Sequence, residues 1–118
     1  MRDFRELTVW QKAHSLTLSV YRICGEFPRA HGGGLSSQMQ RASLSLSMTI
    51  AEAASKNDRM EFVALLRTAL GWGNQLEYQF LLAKDLNVIE DPVYEKLQLR
   101  VVEVKKMLNG LCRSALSA

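Results

Sequence analysis

Four polar residues, Arg41, Ser45, Thr49 and Glu52, recur at steps of four, four and three. On a helix these steps place them on one side. A cation, two hydroxyls and a carboxylate in line could form a recognition stripe for a polar partner. They could equally form a structural network, each end bonding to another helix or another subunit. Arg41 and Glu52 lie about 16 Å apart along a helix axis, too far to pair within one chain. Catalytic constellations are not evident elsewhere. His14 and His31 share no useful spacing with carboxylates or cysteines, and no Glu is followed three residues later by His, as a di-iron bundle requires. The run His31-Gly32-Gly33-Gly34 lacks the Lys and Ser/Thr of a phosphate-binding loop, and its glycines predict a flexible connection between helices. With no nucleophile–base pair, metal set or cofactor motif, neither an enzyme nor a small-molecule substrate or cofactor is expected.

The elements that carry these residues follow from apolar spacing. In the first helix Val9, Ala13, Leu16, Val20, Ile23 and Phe27 alternate steps of four and three, the seam of a helix packed on near-parallel neighbours. Thr8 and Gln11 have capping-box spacing at its start, and Pro28 with the glycine run ends it. The third helix, predicted over residues 59–87, starts with a second capping-box spacing at Asp58 and Glu61. Its seam is Phe62, Leu66, Ala69, Gly73, Leu76, Phe80 and Ala83. Gly71 and Gly73 each cost a helix interior about 1 kcal/mol relative to Ala, which on the seam implies close packing against a large side chain. The fourth helix starts with Asp91 as cap and Pro92 in the first turn. Its seam runs Tyr94, Leu97, Val101, Val104, Leu108, Leu111 and Ala115.

The segment between the first and third helices is the ambiguous one. Residues 43–50, "SLSLSMTI", alternate apolar and polar like a half-buried strand. A lone strand among helices would leave its edges unpaired. On a helix, Met39, Ala42, Leu46, Ile50 and Ala53 form a core stripe, while Leu44 and Met48 point the opposite way among Ser37, Ala51 and Ser55. Residues 33–51 hold a single charge, Arg41. The expected fold is therefore all-α, one domain over residues 1–118 arranged as an up-down-up-down four-helix bundle. The second apolar face predicts a homo-oligomer with Ser37, Arg41, Leu44, Met48, Ala51 and Glu52 at the interface.

The same helix resembles a known family, the bacterial 23S rRNA intervening-sequence proteins. Their pattern is similar to Gln-x-x-Arg-Ala-x-x-Ser-Ile-Pro-Ser-Asn-Ile-Ala-Glu-Gly, and here Gln38, Arg41, Ala42, Ser45, Leu46, Ile50, Ala51 and Glu52 match it. The resemblance extends through Phe4, Leu7, Trp10, Lys12, Ala13, Tyr21 and Phe27-Pro28, and through Ala69, Gly71, Leu76, Glu77 and Ala83. Ser47, Thr49, Ala53, Trp72 and Gln75 depart from the pattern, standing where it has Pro, Asn, Gly, Ser and Glu. The resemblance implies a ring-shaped homopentamer, a role with nucleic acid and no established catalysis.

Charge bears on that role. Fifteen Lys and Arg against twelve Asp and Glu leave +3, a weak basic excess by itself. In an up-down bundle the N-terminus, the second loop and the C-terminus share one end, which gathers Arg2, Arg5, Lys56, Arg59, Lys105, Lys106 and Arg113. These are the expected RNA or DNA contacts, acting on phosphates with little sequence preference. The rival reading is a protein-interaction scaffold whose charge only solubilises it. Cys24 and Cys112 lack metal or redox spacing and are expected as reduced packing residues at opposite ends of the bundle. No apolar stretch follows Met1-Arg2-Asp3 and no run approaches a membrane span, so a cytoplasmic protein without signal peptide or membrane partner is expected.

Overall fold

A computed structural model describes residues 2–27 and 29–117 of the chain, the side chains of residues 29–33 excepted. Four long helices account for almost all of it: α1 (Thr8–Cys24), α2 (Arg29–Ala54), α3 (Arg59–Asp85) and α4 (Asp91–Ser117), with a short 3-10 turn at Phe4–Glu6 before them. Each helix packs on its neighbours in sequence, and α1 closes the square against α4. The contacts fix the directions. Thr17 meets Ser43 while Cys24 meets Ser36, so α1 and α2 are antiparallel. Arg59 reaches Ala115 and Lys84 lies over Tyr94, so α3 and α4 are antiparallel too. The result is a rod 48 × 20 × 19 Å, an up-down-up-down bundle.

The apolar seams form its core. All seven seam residues of α3 are buried, as are Val9, Ala13, Leu16 and Val20 of α1 and Leu97, Val101, Val104 and Leu108 of α4. Ile23, Tyr94, Leu111 and Ala115 are only partly buried and pack on the rim. In α2 the core stripe Met39, Ala42, Leu46, Ile50 and Ala53 is fully enclosed. The alternating segment is thus helical, and its serines divide by direction. Ser43 and Ser47, one turn apart, are buried against α1. Their small side chains let the two helices approach. The Ser47 hydroxyl pairs with Thr17 Oγ1, and the Ser43 hydroxyl donates to Gln40 O at 3.1 Å, so both are satisfied where this approach removes them from water.

Several helix ends differ from the sequence expectation. The first helix is capped by Leu7, not Thr8, because Leu7 O accepts the Gln11 backbone N–H at 3.0 Å. The Gln11 side chain instead donates to Arg5 O at 2.8 Å, fastening the 3-10 turn to the helix. That helix stops at Cys24, before Phe27, since Gly25 supplies a weak helix former at its C-cap. Pro28 lies outside the described residues. The glycine run is not a loop: α2 already begins at Arg29 and includes it. The helix propensity of glycine, though low, does not forbid a place in the first turns of a helix. Asp58 does cap α3, its side chain accepting from Met60 N at 2.8 Å. The fourth helix opens one residue earlier than expected, with Glu90 O accepting from Tyr94 N at 3.0 Å. Between α3 and α4, Asn87 adopts φ 59°, the only positive value of a non-glycine residue among those described. Val88 N donates to Ala83 O and Asn87 N to Lys84 O, a Schellman motif closed by an asparagine.

Candidate functional site

The end of the bundle that carries the N-terminus is built by three connections. Arg2 N donates to Ala54 O at 3.1 Å, and the Arg2 guanidinium lies 5.1 Å from the centre of the Phe62 ring. Arg59 Nη1 donates to Ala115 O at 3.4 Å. The start of α1, the α2–α3 turn and the last turns of α4 therefore meet, bringing Arg2, Lys56, Arg59 and Arg113 to one end. Arg5 belongs to the same end and is held by Asp3 at 3.2 Å and by the face of Phe4. Among the described residues, Lys56, Lys106 and Arg113 make no ion pair.

Lys105 is placed elsewhere, halfway along the rod. Its Nζ donates to Glu77 Oε1 at 2.6 Å, and Gln98 Nε2 donates to the other oxygen at 3.0 Å. The hydrogen bond from Lys105, aided by Gln98 and against some desolvation, holds the Glu77 carboxyl below its ordinary range. Gly73 makes this possible: a Cβ there would lie 3.1 Å from the Lys105 side-chain stem. The glycine on the seam does accept a long neighbour, and that neighbour is a lysine. Lys106 is also midway along, sharing a surface hollow with Leu99, Arg100, Val102, Glu103 and Met107.

The polar stripe of α2 runs along the flank that faces α3. Arg41 lies 5.8 Å from the centre of the Trp72 ring, a cation–π contact between the two helices. Ser45 and Thr49 are partly buried, whereas Arg41 and Glu52 are exposed in the single chain. Beyond the stripe, Leu44 is 42% and Met48 61% exposed, with Ser37 exposed and Ala51 partly so. On α1, Leu18 and Tyr21 add to the exposed apolar surface. Gln38 and Gln75, both within the family-like segments, line a mainly apolar hollow of about 460 Å³ between α2 and α3.

Two groups escaped the sequence reading. Thr17 gave no signal because a single threonine in an amphipathic helix looks like surface, yet it is buried. Arg100 has ordinary spacing, but its Nη1 donates to Ser19 Oγ at 2.8 Å and its Nη2 to Ser15 Oγ at 2.9 Å. Those partners lie on α1, far away in sequence. Cys24 and Cys112 are both free and buried. Burial pushes both thiols up from their ordinary pKa, partly offset by the Ser36 contact for Cys24 and the Arg67 charge for Cys112. Among the described residues, no three His, Cys, Asp or Glu side chains gather as a metal site, and no helix is long and apolar enough to cross a membrane.

A family model described as 23S rRNA-intervening sequence protein matches residues 5–110 of the chain. Among solved structures, a chain from Bacteroides thetaiotaomicron, described as a protein with unknown function from the S23 ribosomal protein family, superposes with a TM-score of 0.84. The two are 23% identical, over 89% of this chain and 95% of the other. A comparison with curated proteins finds no match.

Proposed function

Because the chain belongs to the 23S rRNA-intervening sequence protein family, we propose that it acts without catalysis, as a homo-oligomer that associates with RNA or DNA through repeated basic surfaces. The observation that carries the nucleic-acid part is the convergence of Arg2, Arg59 and their neighbours Lys56 and Arg113 on one end of the rod. Among the described residues Lys56 and Arg113 make no ion pair, which favours them as phosphate contacts. One chain offers few such charges. A ring of copies repeats them, and affinity for a polyanion rises with the number of phosphates neutralised together. Lys105 takes no part in this surface, being committed to Glu77, and Lys106 lies toward the middle of the rod.

The oligomer rests on α2. Leu44 and Met48 are large apolar side chains left open to water on a helix whose other face already fills the core. Covering them with a second copy removes that cost. The pentameric count is part of the proposal through the family.

Fluorescence anisotropy with structured RNA and duplex DNA at several salt concentrations tests the nucleic-acid role. Affinity is expected to fall steeply with salt, each neutralised phosphate contributing a slope of about −0.9 on duplex DNA. Lys56→Glu with Arg59→Glu should weaken binding to every sequence alike and leave the oligomer intact. Absence of binding at low salt would leave the scaffold role in its place.

A further inference from the structure

Midway along the rod, between α1 and α4, one cationic side chain is held by uncharged partners. The Arg100 guanidinium is held by Ser15 and Ser19 at 2.9 and 2.8 Å. Both acceptors are uncharged, and among the described residues no carboxylate pairs with Arg100. A guanidinium has five N–H donors, so this arrangement leaves donors unused. Each serine oxygen, having accepted from Arg100, also keeps an O–H for which the described residues offer no acceptor. One turn away on α1, Lys12 meets Glu103 at 3.2 Å, with both side chains about half exposed. Lys12, Ser15, Arg100 and Glu103 together line a hollow of about 130 Å³. Its wall is thus a set of N–H and O–H donors with Glu103 as the one acidic member.

We propose that this hollow binds a phosphate group, held by Arg100 and Lys12 with the hydroxyl of Ser15, while Ser19 holds the other prong of the Arg100 fork. The serines fix the arginine fork before the ligand arrives, which reduces the ordering cost of a two-pronged contact to phosphate oxygens. The Ser15 proton then turns toward a remaining phosphate oxygen. Glu103 is exposed enough to swing into water as the phosphate takes over Lys12. The site is separate from the basic end and does not depend on it. A phosphodiester of a nucleic-acid strand and a free phosphomonoester present the same chemistry here.

Titration with inorganic phosphate at constant ionic strength, followed by heteronuclear NMR, tests the site. Saturable shifts are expected at the Arg100 Nε–H and at the Ser15 and Ser19 amides. Arg100→Gln should weaken the affinity about tenfold, the loss of a charge-assisted pair of hydrogen bonds. Ser15→Ala with Ser19→Ala keeps the charge, leaves the fold intact and should weaken it several-fold. Shifts that never saturate, or an affinity unchanged in both variants, would overturn the proposal. A pyrimidine RNA oligonucleotide then separates the sources. A parallel loss in Arg100→Gln assigns the phosphate to a strand, and a loss confined to inorganic phosphate assigns it to a small molecule.

Discussion

Thr17 on α1 and Ser47 on α2 share a hydrogen bond of 2.8 Å, with both residues buried. The Thr17 oxygen also lies 3.0 Å from Ala13 O and 2.9 Å from Ser43 O. A hydroxyl has one proton, so Thr17 donates to one of these carbonyls while Ser47 donates to Thr17. Thr17→Val keeps the shape and strands the Ser47 hydroxyl, at an expected cost of about 1–3 kcal/mol. Adding Ser47→Ala should cost less than the sum of the two single changes, because the second removes the group the first left unpaired. Urea unfolding of the four proteins in this cycle measures the coupling. Strictly additive losses would mean that the two hydroxyls act independently.

Gly71 and Gly73 are two residues apart on α3 yet should respond oppositely in degree to alanine. A Cβ at Gly71 meets nothing within 4 Å, so Gly71→Ala should stabilise the fold by about 1 kcal/mol through helix propensity alone. A Cβ at Gly73 must displace the Lys105 stem, and with it the ion pair to Glu77. Gly73→Ala is therefore expected to gain clearly less, or to destabilise. Thermal unfolding of both variants side by side decides this, and equal gains would show that Lys105 moves at no cost.

The Glu77–Lys105 pair sets a pH dependence. Since the Glu77 carboxyl is held below its ordinary range, the folded protein binds this proton less tightly than the unfolded chain. The stabilisation is fully present above the ordinary glutamate pKa and is lost as the pH falls through the lowered one. With side chains 25% and 28% exposed, the pair is worth about 1 kcal/mol or less. Glu77→Gln should thus lower stability at neutral pH and match the wild type in strong acid. A difference that persisted unchanged into acid would place the effect in packing and not in charge.

Leu44→Glu with Met48→Glu should dissociate the oligomer and leave helical circular dichroism largely intact, because neither side chain contributes to the core of one chain. Native mass spectrometry counts the copies in both proteins. A wild-type monomer at micromolar concentration would remove the interface from α2.

Apolar spacing reports burial directly, which is why the seams of α1, α3 and α4 and the core stripe of α2 could be read from sequence. Polar residues carry no such signal. Ser43 and Ser47 are buried because helix α1 needs room, and that is a property of the partner helix. Lys105 falls with the basic end when charges are counted by region, because that count resolves position along an axis poorly. Gly73 and Glu77 on the facing helix show where its side chain lies. Arg100 depends on Ser15 and Ser19 of the first helix, a relation that exists only once the bundle has closed. The glycine run reads as a loop but is helical, because a poor helix former next to a long helix can still be carried into it.

Asn87 has a consequence for how this sequence can drift. A core position such as Leu76 or Ile50 can exchange one aliphatic side chain for another of similar volume at modest cost. The turn at Asn87 offers no such latitude, because at φ 59° a Cβ-bearing residue is strained unless its side chain is short and polar. Random replacement at this one exposed position should return asparagine, glycine and little beyond aspartate among folded clones, while the enclosed leucines tolerate a wider vocabulary. The most restrictive letter of the α3–α4 hairpin is thus written on its surface.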